Sequence, residues 1–448
     1  MSRCDTTAED TVGNLIAHDT VTIQLIAFRI LLIAVAAVLA VTAARADTPP
    51  ENFFPIGVYW QPTSSFSTWK ARGINTVIGF YNRPDWRAEF DTAAAANGLW
   101  MIRNPQENPA ADINTPHLLA FSQPDEPDIN GIPLATLAAN YAQWKAAAPN
   151  IPVIENFSGQ NAMYKYQVGA DAEYANFIKT TDWVSNDVYP ITAWNRPDWI
   201  DKNAQLNLND PINNGGIPFN PGNAVDKLRA RSNGKQQLAY IETSFQNLSS
   251  SASTGARGAT AAEVRGETWD AIIHGAKGIV YFPQSFSPDQ TDATPPDVVA
   301  SITQTDAIIN QMGGALNSDS NANSNYLNLP GGLEATWRVY QGKLYYFVLN
   351  FSHSAANQAK VTLTGLSGTN AISVTNEGRD LSATAGTITD TFAPYQLHIY
   401  ETTTPVGFTS LMASPGNGSI GQIGSAVPEP SGIVLLGLTV GALLRRRR

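Results

Sequence analysis

The segment LLAFSQPDEPD, residues 118–128, joins a strand-like apolar run to a cluster of acids. Its first four residues, 118–121, are continuously apolar, as in a strand that is buried on both faces. The run ends abruptly in Asp125, Glu126 and Asp128, with one proline before the first acid and another between the last two. Gly, Asn or Ser would suffice to end a strand, so solubility does not account for adjacent carboxylates here. A parallel barrel does account for them, because the functional side chains of such barrels lie at the carboxyl ends of the strands.

Seven further apolar runs alternate with helix-like stretches between residue 55 and about residue 315. Between the runs lie Ala-rich periodic segments, such as 134–150 and 261–278, and several of these segments end in Gly or Asn-Gly, as helices do. Eight strands that alternate with helices predict a (β/α)8 TIM barrel over residues 47–325, rather than an open sheet. The predicted strands are 55–60, 74–81, 99–104, 118–123, 151–157, 183–190, 237–243 and 278–284.

The pattern changes after the predicted barrel. From about residue 330 the chain consists of β-rich runs with tight turns and no helical periodicity. This pattern predicts a small antiparallel β-sandwich over residues 326–403. Residues 404–426 are rich in Gly, Ser and Pro, and are predicted to form a linker.

Both ends of the chain have the composition of sorting signals. The run 25–41 is apolar apart from Arg29 and is followed by TAARA, which predicts a signal peptide over residues 1–46 with cleavage after Ala46. Residues 427–448 contain Val-Pro-Glu-Pro, a short apolar stretch and four arginines, and they resemble the PEP-CTERM sorting signal of Gram-negative bacteria. That resemblance implies processing by an exosortase, a transient transmembrane anchor, and a final place on the cell surface or in the extracellular matrix. The alternative for the N-terminal segment is a membrane anchor. The alternative for the C-terminal segment is an ordinary tail anchor.

Composition excludes several classes of function. The formal net charge is −10 and no basic face is indicated, which argues against nucleic-acid binding. The single cysteine, Cys4, lies in the predicted signal, so no disulfide is expected and a large core must stabilise the fold. The five histidines show no metal-ligand spacing, and the sequence has no nucleophile elbow, phosphate loop or dinucleotide fingerprint. We therefore expect neither a metal nor a cofactor.

Polar and aromatic residues gather at the carboxyl ends of the predicted strands. Strand five offers both Glu155 and Asn156, of which alternation lets only one point inward, and we expect Asn156. Aromatic residues at several strand ends favour a carbohydrate cleft, although each of them alone is as easily a packing residue. The predicted substrate-binding residues are Trp60, Tyr81, Asp125, Asn156, Asp187, Tyr189, Trp194, Phe282 and Gln284.

Two glutamates are predicted to face each other across the barrel mouth: Glu126 after strand four and Glu242 at the end of strand seven. Hydrolysis of a glycosidic bond needs such a pair, one protonated carboxyl group and one carboxylate. A separation of about 5–5.5 Å would suit the retaining, two-step route. The alternative roles are structural: Glu126 could cap the turn-like PDEPD loop, and Glu242 could pair with an arginine inside the barrel.

These features together resemble the large clan of retaining (β/α)8-barrel glycoside hydrolases, clan A. The resemblance rests on the order of elements, the DEP after strand four, the Glu that ends strand seven and the C-terminal sandwich. It implies that Glu126 is the acid/base, that Glu242 is the nucleophile and that the substrate is a β-linked poly- or oligosaccharide. Asp125 stands where many members have an asparagine that contacts the sugar, and an acid there would raise the pKa of Glu126. The alternative function is non-catalytic: a carbohydrate-binding or matrix protein on a barrel scaffold.

Overall fold

The computed structural model describes most of the two predicted domains. The predicted signal peptide and sorting tail lie outside the described residues, as do most of the predicted linker, Tyr81 and Trp194. No helix within the described ranges is long and apolar enough to cross a membrane. The described residues are 47–79, 84–159, 170–192, 220–246, 257–318, 327–329, 332–406 and 408.

The predicted TIM barrel is confirmed. Eight parallel strands pair in chain order, and the last strand returns to the first, where Ile56 pairs with Ile279. All eight predicted strands are present, each within a few residues of its expected bounds. The strands are β1 (Ile56–Tyr59), β2 (Thr76–Gly79), β3 (Trp100–Arg103), β4 (Leu118–Ser122), β5 (Val153–Ser158), β6 (Trp183–Asp187), β7 (Gln236–Glu242) and β8 (Ile279–Phe282).

Helices connect the strands around the outside of the barrel. Their ends follow local rules: Thr260 and Glu263 form a capping box at the start of α6, and Asn233 ends α5 in the left-handed conformation. The connection after β3 carries only a short 3-10 helix, Pro109–Asn114. The helices are α1 (Phe66–Ala71), α2 (Pro84–Ala96), α3 (Leu134–Ala147), α4 (Ala170–Phe177), α5 (Pro221–Ser232), α6 (Ala261–Ile273) and α7 (Pro296–Asn317).

Strand alternation separates two apolar layers. Side chains such as Leu238, Tyr240 and Val280 fill the interior of the barrel. The intervening residues, such as Ala239 and Ile241, pack outward in the layer that contains the helices. The interior is therefore a solid core, and only its carboxyl end is available as a site.

An antiparallel β domain follows the barrel, as predicted. Its strands form one hydrogen-bonded sheet of eight, which curls into a sandwich-like domain around a core of its own. A two-stranded hairpin, β9 (Ser285–Phe286) and β10 (Asp289–Gln290), precedes it in the loop after β8. The strands of the domain are β11 (Leu327–Asn328), β12 (Leu333–Tyr340), β13 (Lys343–Asn350), β14 (Ala356–Thr362), β15 (Thr369–Val374), β16 (Arg379–Thr384), β17 (Thr387–Phe392) and β18 (Leu397–Thr403).

The two domains meet through buried charge as well as apolar packing. His274, just after α6, lies 2.7 Å from Asp226 of α5 and 3.1 Å from Glu334 of β12. Burial lowers the pKa of His274, but the carboxylates of Asp226 and Glu334 outweigh it and raise this pKa well above its usual range. The imidazolium therefore bridges the barrel and the β domain.

Candidate functional site at the barrel mouth

The PDEPD loop holds Glu126 in an unusual backbone conformation at the carboxyl end of β4. Its φ is 42°, in the left-handed region that costs a non-glycine residue about 1 kcal/mol. The backbone N–H of Glu126 donates to the carbonyl of Asn156 at 3.0 Å, and its carbonyl accepts from Ile129 and Asn130. The neighbouring strand and the following turn thus hold the strained residue in place, as is common at functional sites.

The third acid of the loop anchors it. Asp128 accepts a hydrogen bond from the backbone of Ser158 at 3.1 Å and one from the hydroxyl of the buried Tyr174 at 2.5 Å. These bonds join the loop to the end of β5 and to α4. Asp128 is therefore a structural acid that fixes the position of Glu126.

Asparagine 156 joins two further acids at the mouth. Its Nδ2 donates to Asp125 Oδ1 and to Asp187 Oδ1, each at 2.9 Å. The two carboxylate oxygens are therefore no more than about 6 Å apart, twice the length of a hydrogen bond. Ser185 donates to the carbonyl oxygen of the same amide, and the Tyr59 hydroxyl donates to Asp125 Oδ2 at 3.0 Å. Asn156 is thus an inward residue between β4 and β6.

Glu155, the alternative at this strand end, is fully buried and accepts from the Thr180 hydroxyl at 2.8 Å. Because Thr180 lies three residues before the start of β6, at the amino end of that strand, the Glu155 carboxylate points away from the mouth. Asp125, Glu126 and Asp187 are half-buried, so each of these residues keeps some exposed surface at the mouth.

Glu126 is the strongest candidate for a proton donor. Burial, then the charges of Asp125 and Asp128, raise its pKa to about 8. Among the described residues no hydrogen-bond donor contacts its carboxylate, so the protonated form is not opposed. Burial also raises the pKa values of Asp125 and Asp187. The hydrogen bond from the Asn156 amide opposes this rise in both residues, and the hydrogen bond from the Tyr59 hydroxyl opposes it in Asp125. Burial, and then the charges of Glu126 and Asp125, raise the pKa of Asp187 well above its usual range, so Glu126 and Asp187 compete for a proton.

Aromatic side chains form the other half of the mouth. Phe282 stacks on Tyr59, with ring centroids 5.4 Å apart, and contacts Tyr189 at 5.2 Å. The exposed ends of this cluster are Trp60, which is 37% exposed, and Phe286 of the β9–β10 hairpin, which is 47% exposed. The mouth thus has an acidic side, from β4 to β6, and an aromatic side, on β1 and β8.

Two predicted binding residues carry polar atoms without a partner among the described residues. Tyr189 is 7% exposed, and its hydroxyl has no hydrogen-bond partner in the described part of the chain. Burial is the main cause that raises the pKa of Tyr189, and the charges of Asp187 and Glu126 raise it further. Gln284, after β8, is also buried, and its Oε1 lacks a donor. A buried polar atom costs free energy unless something bonds it, so the Tyr189 hydroxyl beside the acids marks a place where a ligand can bind.

Glu242 lies in different surroundings from the other candidates. It is 0% exposed, and its Oε1 and Oε2 accept from the backbone N–H groups of Ile191 and Thr192 at 2.8 and 2.5 Å. Burial raises its pKa, while these bonds lower it. Among the described residues, its hydrogen-bond partners are thus backbone groups of the segment after β6. The nucleophile role of Glu242 stays a prediction, and the structure offers a competitor in Asp187.

The sequence reasoning selected the acids of the mouth but missed several of its aromatic residues. Tyr59 and Tyr240 point inward by the same alternation that places Asn156, so a stricter use of alternation could have found them. Phe286 had no such signal, because a two-residue strand in a loop leaves no periodicity. Predicted residues Tyr81 and Trp194 lie outside the described part of the chain.

Comparison with known proteins supports the fold. The chain matches no protein-family model and no curated protein. Among solved structures it is similar to an Anoxybacillus α-amylase, with 9% identity, a TM-score of 0.51, and coverage of 80% of this chain and 99% of that one. A structure described as a glycoside hydrolase has 12% identity, a TM-score of 0.51, and coverage of 78% and 92%. At such low identity these likenesses show a similar fold and nothing further.

Proposed function

We propose that this protein is an exported glycoside hydrolase that cleaves a poly- or oligosaccharide at the barrel mouth. The observation that carries the proposal is the pairing of Glu126, whose pKa is raised to about 8, with accessible carboxylates in one half of an otherwise aromatic mouth. Sugars present apolar C–H faces and polar hydroxyl edges, and the two sides of this mouth suit them. Glycoside hydrolases are among the solved structures of similar architecture, which agrees with the proposal.

Glu126 acts as the general acid in this proposal. It is protonated below about pH 8 and would donate to the glycosidic oxygen as the bond to the anomeric carbon breaks. Once ionised, it would remove a proton from the attacking water. Asp125 helps to keep the proton on Glu126, because its negative charge opposes the ionisation of its neighbour.

A second carboxylate must stabilise or attack the anomeric carbon, and two residues compete for this role. The clan A resemblance implies Glu242, whereas the geometry of the mouth favours Asp187. The clan A resemblance implies the retaining route, in which the acid/base and the nucleophile lie about 5–5.5 Å apart, whereas the inverting route leaves room for a water between the two carboxyl groups. We therefore propose hydrolysis with retention of configuration.

The test of the proposal is a substrate screen with a matched control. Wild-type protein, Glu126→Gln and Glu51→Gln would be incubated with a panel of polysaccharides, and reducing ends would be measured. Glu51 is exposed and precedes β1, at the opposite end of the barrel. We expect turnover by the wild type and by Glu51→Gln, and a loss of about 10²–10⁴-fold in Glu126→Gln.

The alternative function would give a different result in the same screen. A carbohydrate-binding protein without catalysis would retain a polysaccharide in affinity electrophoresis, and neither the wild type nor the variants would release reducing ends. Equal hydrolysis by the wild type and Glu126→Gln would instead show that this residue is not the acid.

A further inference from the structure

We infer that Asp187, at the end of β6, is the nucleophile that works opposite Glu126, in place of Glu242. This inference rests on the proposed glycosidase function and assigns a residue to its second carboxylate. It follows from accessibility, from the hydrogen bonds of each carboxylate and from the shared charge of the mouth.

Accessibility separates the two candidates. A nucleophile must reach the anomeric carbon with one of its oxygens, so its carboxylate must be open to the substrate. Asp187 is half-buried at the mouth, whereas Glu242 is 0% exposed. A sugar that reached Glu242 would first have to displace the covering side chains.

The hydrogen bonds point the same way. Both oxygens of Glu242 accept from backbone N–H groups, so the fold uses both oxygens of this carboxylate. Among the described residues, Asp187 has one donor, Asn156, which donates to its Oδ1. Its Oδ2 receives no donor from any residue that the structure describes. One oxygen is therefore held in position while the other remains able to attack.

Asp125 is the remaining accessible carboxylate, and its contacts suit a supporting role. Its Oδ1 accepts from Asn156 and its Oδ2 from the hydroxyl of Tyr59, so neither oxygen is left without a donor. It also precedes Glu126 directly in the chain. Asp125 thus positions the Asn156 amide, which in turn orients Asp187.

The charges of the mouth allow Asp187 to be ionised when Glu126 is protonated. After burial, the Glu126 carboxylate is the largest influence that raises the pKa of Asp187, ahead of Asp125. Protonation of Glu126 removes that charge, and the Asn156 amide favours the Asp187 anion. The two groups therefore share one proton, and the catalytically competent arrangement is the one in which Glu126 holds it.

The reaction then has two balanced steps. In the first, Asp187 Oδ2 forms a bond to the anomeric carbon while the glycosidic C–O bond breaks and the Glu126 proton passes to the leaving oxygen. In the second, Glu126 takes a proton from water, the water oxygen bonds to the anomeric carbon, and the bond to Asp187 breaks. The buried Tyr189 hydroxyl, which lacks a partner among the described residues, is available to donate to the sugar as charge develops.

The test is to locate the covalent intermediate by mass spectrometry. Glu126→Ala of the full chain would be incubated with dinitrophenyl glycosides of the sugars released by the wild type in the substrate screen, and then quenched in acid. The activated leaving group needs no proton, while loss of the base delays hydrolysis of the ester, so the glycosyl-enzyme accumulates. Trypsin separates the candidates: Asp187 falls in 180–202, Glu242 in 236–257 and Asp125 in 104–145.

We expect the glycosyl adduct on peptide 180–202, and fragmentation that places it on Asp187. An adduct on 236–257 or on 104–145 would overturn the inference and leave the glycosidase function intact. A product of inverted configuration from the wild type would do the same. Failure of the wild type to hydrolyse any polysaccharide would reject the proposed function itself.

Variants provide a second measurement that does not depend on trapping. Asp187→Asn should lose about 10³-fold or more in turnover of activated and natural substrates, with an unchanged melting temperature. Glu242→Gln should chiefly lower the melting temperature, because the amide cannot accept both backbone hydrogen bonds. Asp380→Asn, at an exposed position in the β domain, is the control and should equal the wild type. The reverse pattern, with an active Asp187→Asn and an inactive but folded Glu242→Gln, would overturn the inference.

Discussion

At the scale of single residues, the mouth is organised by proton placement. Three carboxyl groups, Asp125, Glu126 and Asp187, share a partly buried space, but their donors differ. Asn156 donates hydrogen bonds to Asp125 and Asp187, and Tyr59 donates one to Asp125. The Glu126 carboxylate has no donor among the described residues. Hydrogen bonds to a carboxylate favour its ionised form, so the Glu126 anion lacks a stabilisation that the anions of Asp125 and Asp187 receive.

This arrangement predicts the pH dependence of Asp125→Asn. The basic limb of kcat/KM should reflect the ionisation of Glu126 near pH 8, since activity needs the protonated acid. Removing the negative charge of Asp125 makes ionisation of Glu126 easier, which lowers its pKa. The basic limb should therefore move to lower pH, by about one pH unit. The measurement is kcat/KM from pH 4 to 10 for the wild type and Asp125→Asn, with Asp380→Asn as the control. A limb that stays in place, or moves to higher pH, would contradict the assignment of Glu126.

A second residue-scale prediction concerns Gly159, which follows β5. A Cβ added there would lie 1.6 Å from the backbone carbonyl oxygen of Asp187, so the backbone of one of the two segments must move. Gly159→Ala should lose about 1–3 kcal/mol of the free energy of unfolding and should reduce kcat by displacing Asp187. Urea denaturation and steady-state kinetics measure both effects.

Gly57 in β1 is the matched control, because an added Cβ there meets nothing closer than 3.2 Å. Gly57→Ala should therefore cost less stability than Gly159→Ala and should leave kcat nearly unchanged. Equal effects of the two substitutions would show that the contact with Asp187 is not the cause.

At the scale of elements, different strand ends supply different types of side chain to the mouth. β4, β5 and β6 deliver acids and an amide, whereas β1, β8 and the β9–β10 hairpin deliver aromatic rings. The hairpin extends the aromatic side beyond the barrel, since Phe286 lies over Phe282 with ring centroids 6.2 Å apart. A loop after a barrel strand thus supplies binding surface, as is usual in this architecture.

We predict that Phe286→Ala weakens substrate binding without weakening the fold. The ring is 47% exposed, so its removal should change the melting temperature little. Loss of stacking on a sugar should cost about 1 kcal/mol, which corresponds to a rise of about five-fold in KM with kcat nearly unchanged. Phe286→Tyr should restore the wild-type KM. An unchanged KM in Phe286→Ala would exclude this ring from the cleft.

At the scale of the whole molecule, buried charge links the barrel to the β domain. His274 lies among the carboxyl groups of Asp226, Asp270 and Glu334. Asp270 and Glu334 are buried, and Asp226 is partly exposed. Removal of the cation from such a cluster leaves uncompensated buried charge, which is strongly destabilising.

His274→Asn should therefore lower the free energy of unfolding by about 3–5 kcal/mol. Urea denaturation followed by tryptophan fluorescence measures the change, and His353→Asn at an exposed position of the β domain is the control. A loss below about 1 kcal/mol would show that the imidazolium does not hold the two domains together.

The ends of the chain carry the last prediction. Protein recovered from its native host should begin near Asp47 and should lack the apolar tail, with its new end near residues 428–430. Mass spectrometry of the intact protein and of its terminal peptides measures both ends. Arginines 445–448 still present on the surface form would contradict processing by an exosortase.

The sequence by itself determined the barrel, the β domain and the end of the barrel at which polar side chains gather. Apolar runs of strand length and helical periodicity are local patterns, and the parallel order of the strands then requires that their carboxyl ends meet. Only the tertiary structure decided which carboxylates share the mouth. Glu242 and Asp187 end neighbouring strands in similar sequence contexts, yet backbone N–H groups from the segment after β6 hold the first, while the second shares an amide with Asp125. Those partners are 31 to 51 residues away along the chain, so no local pattern encodes them.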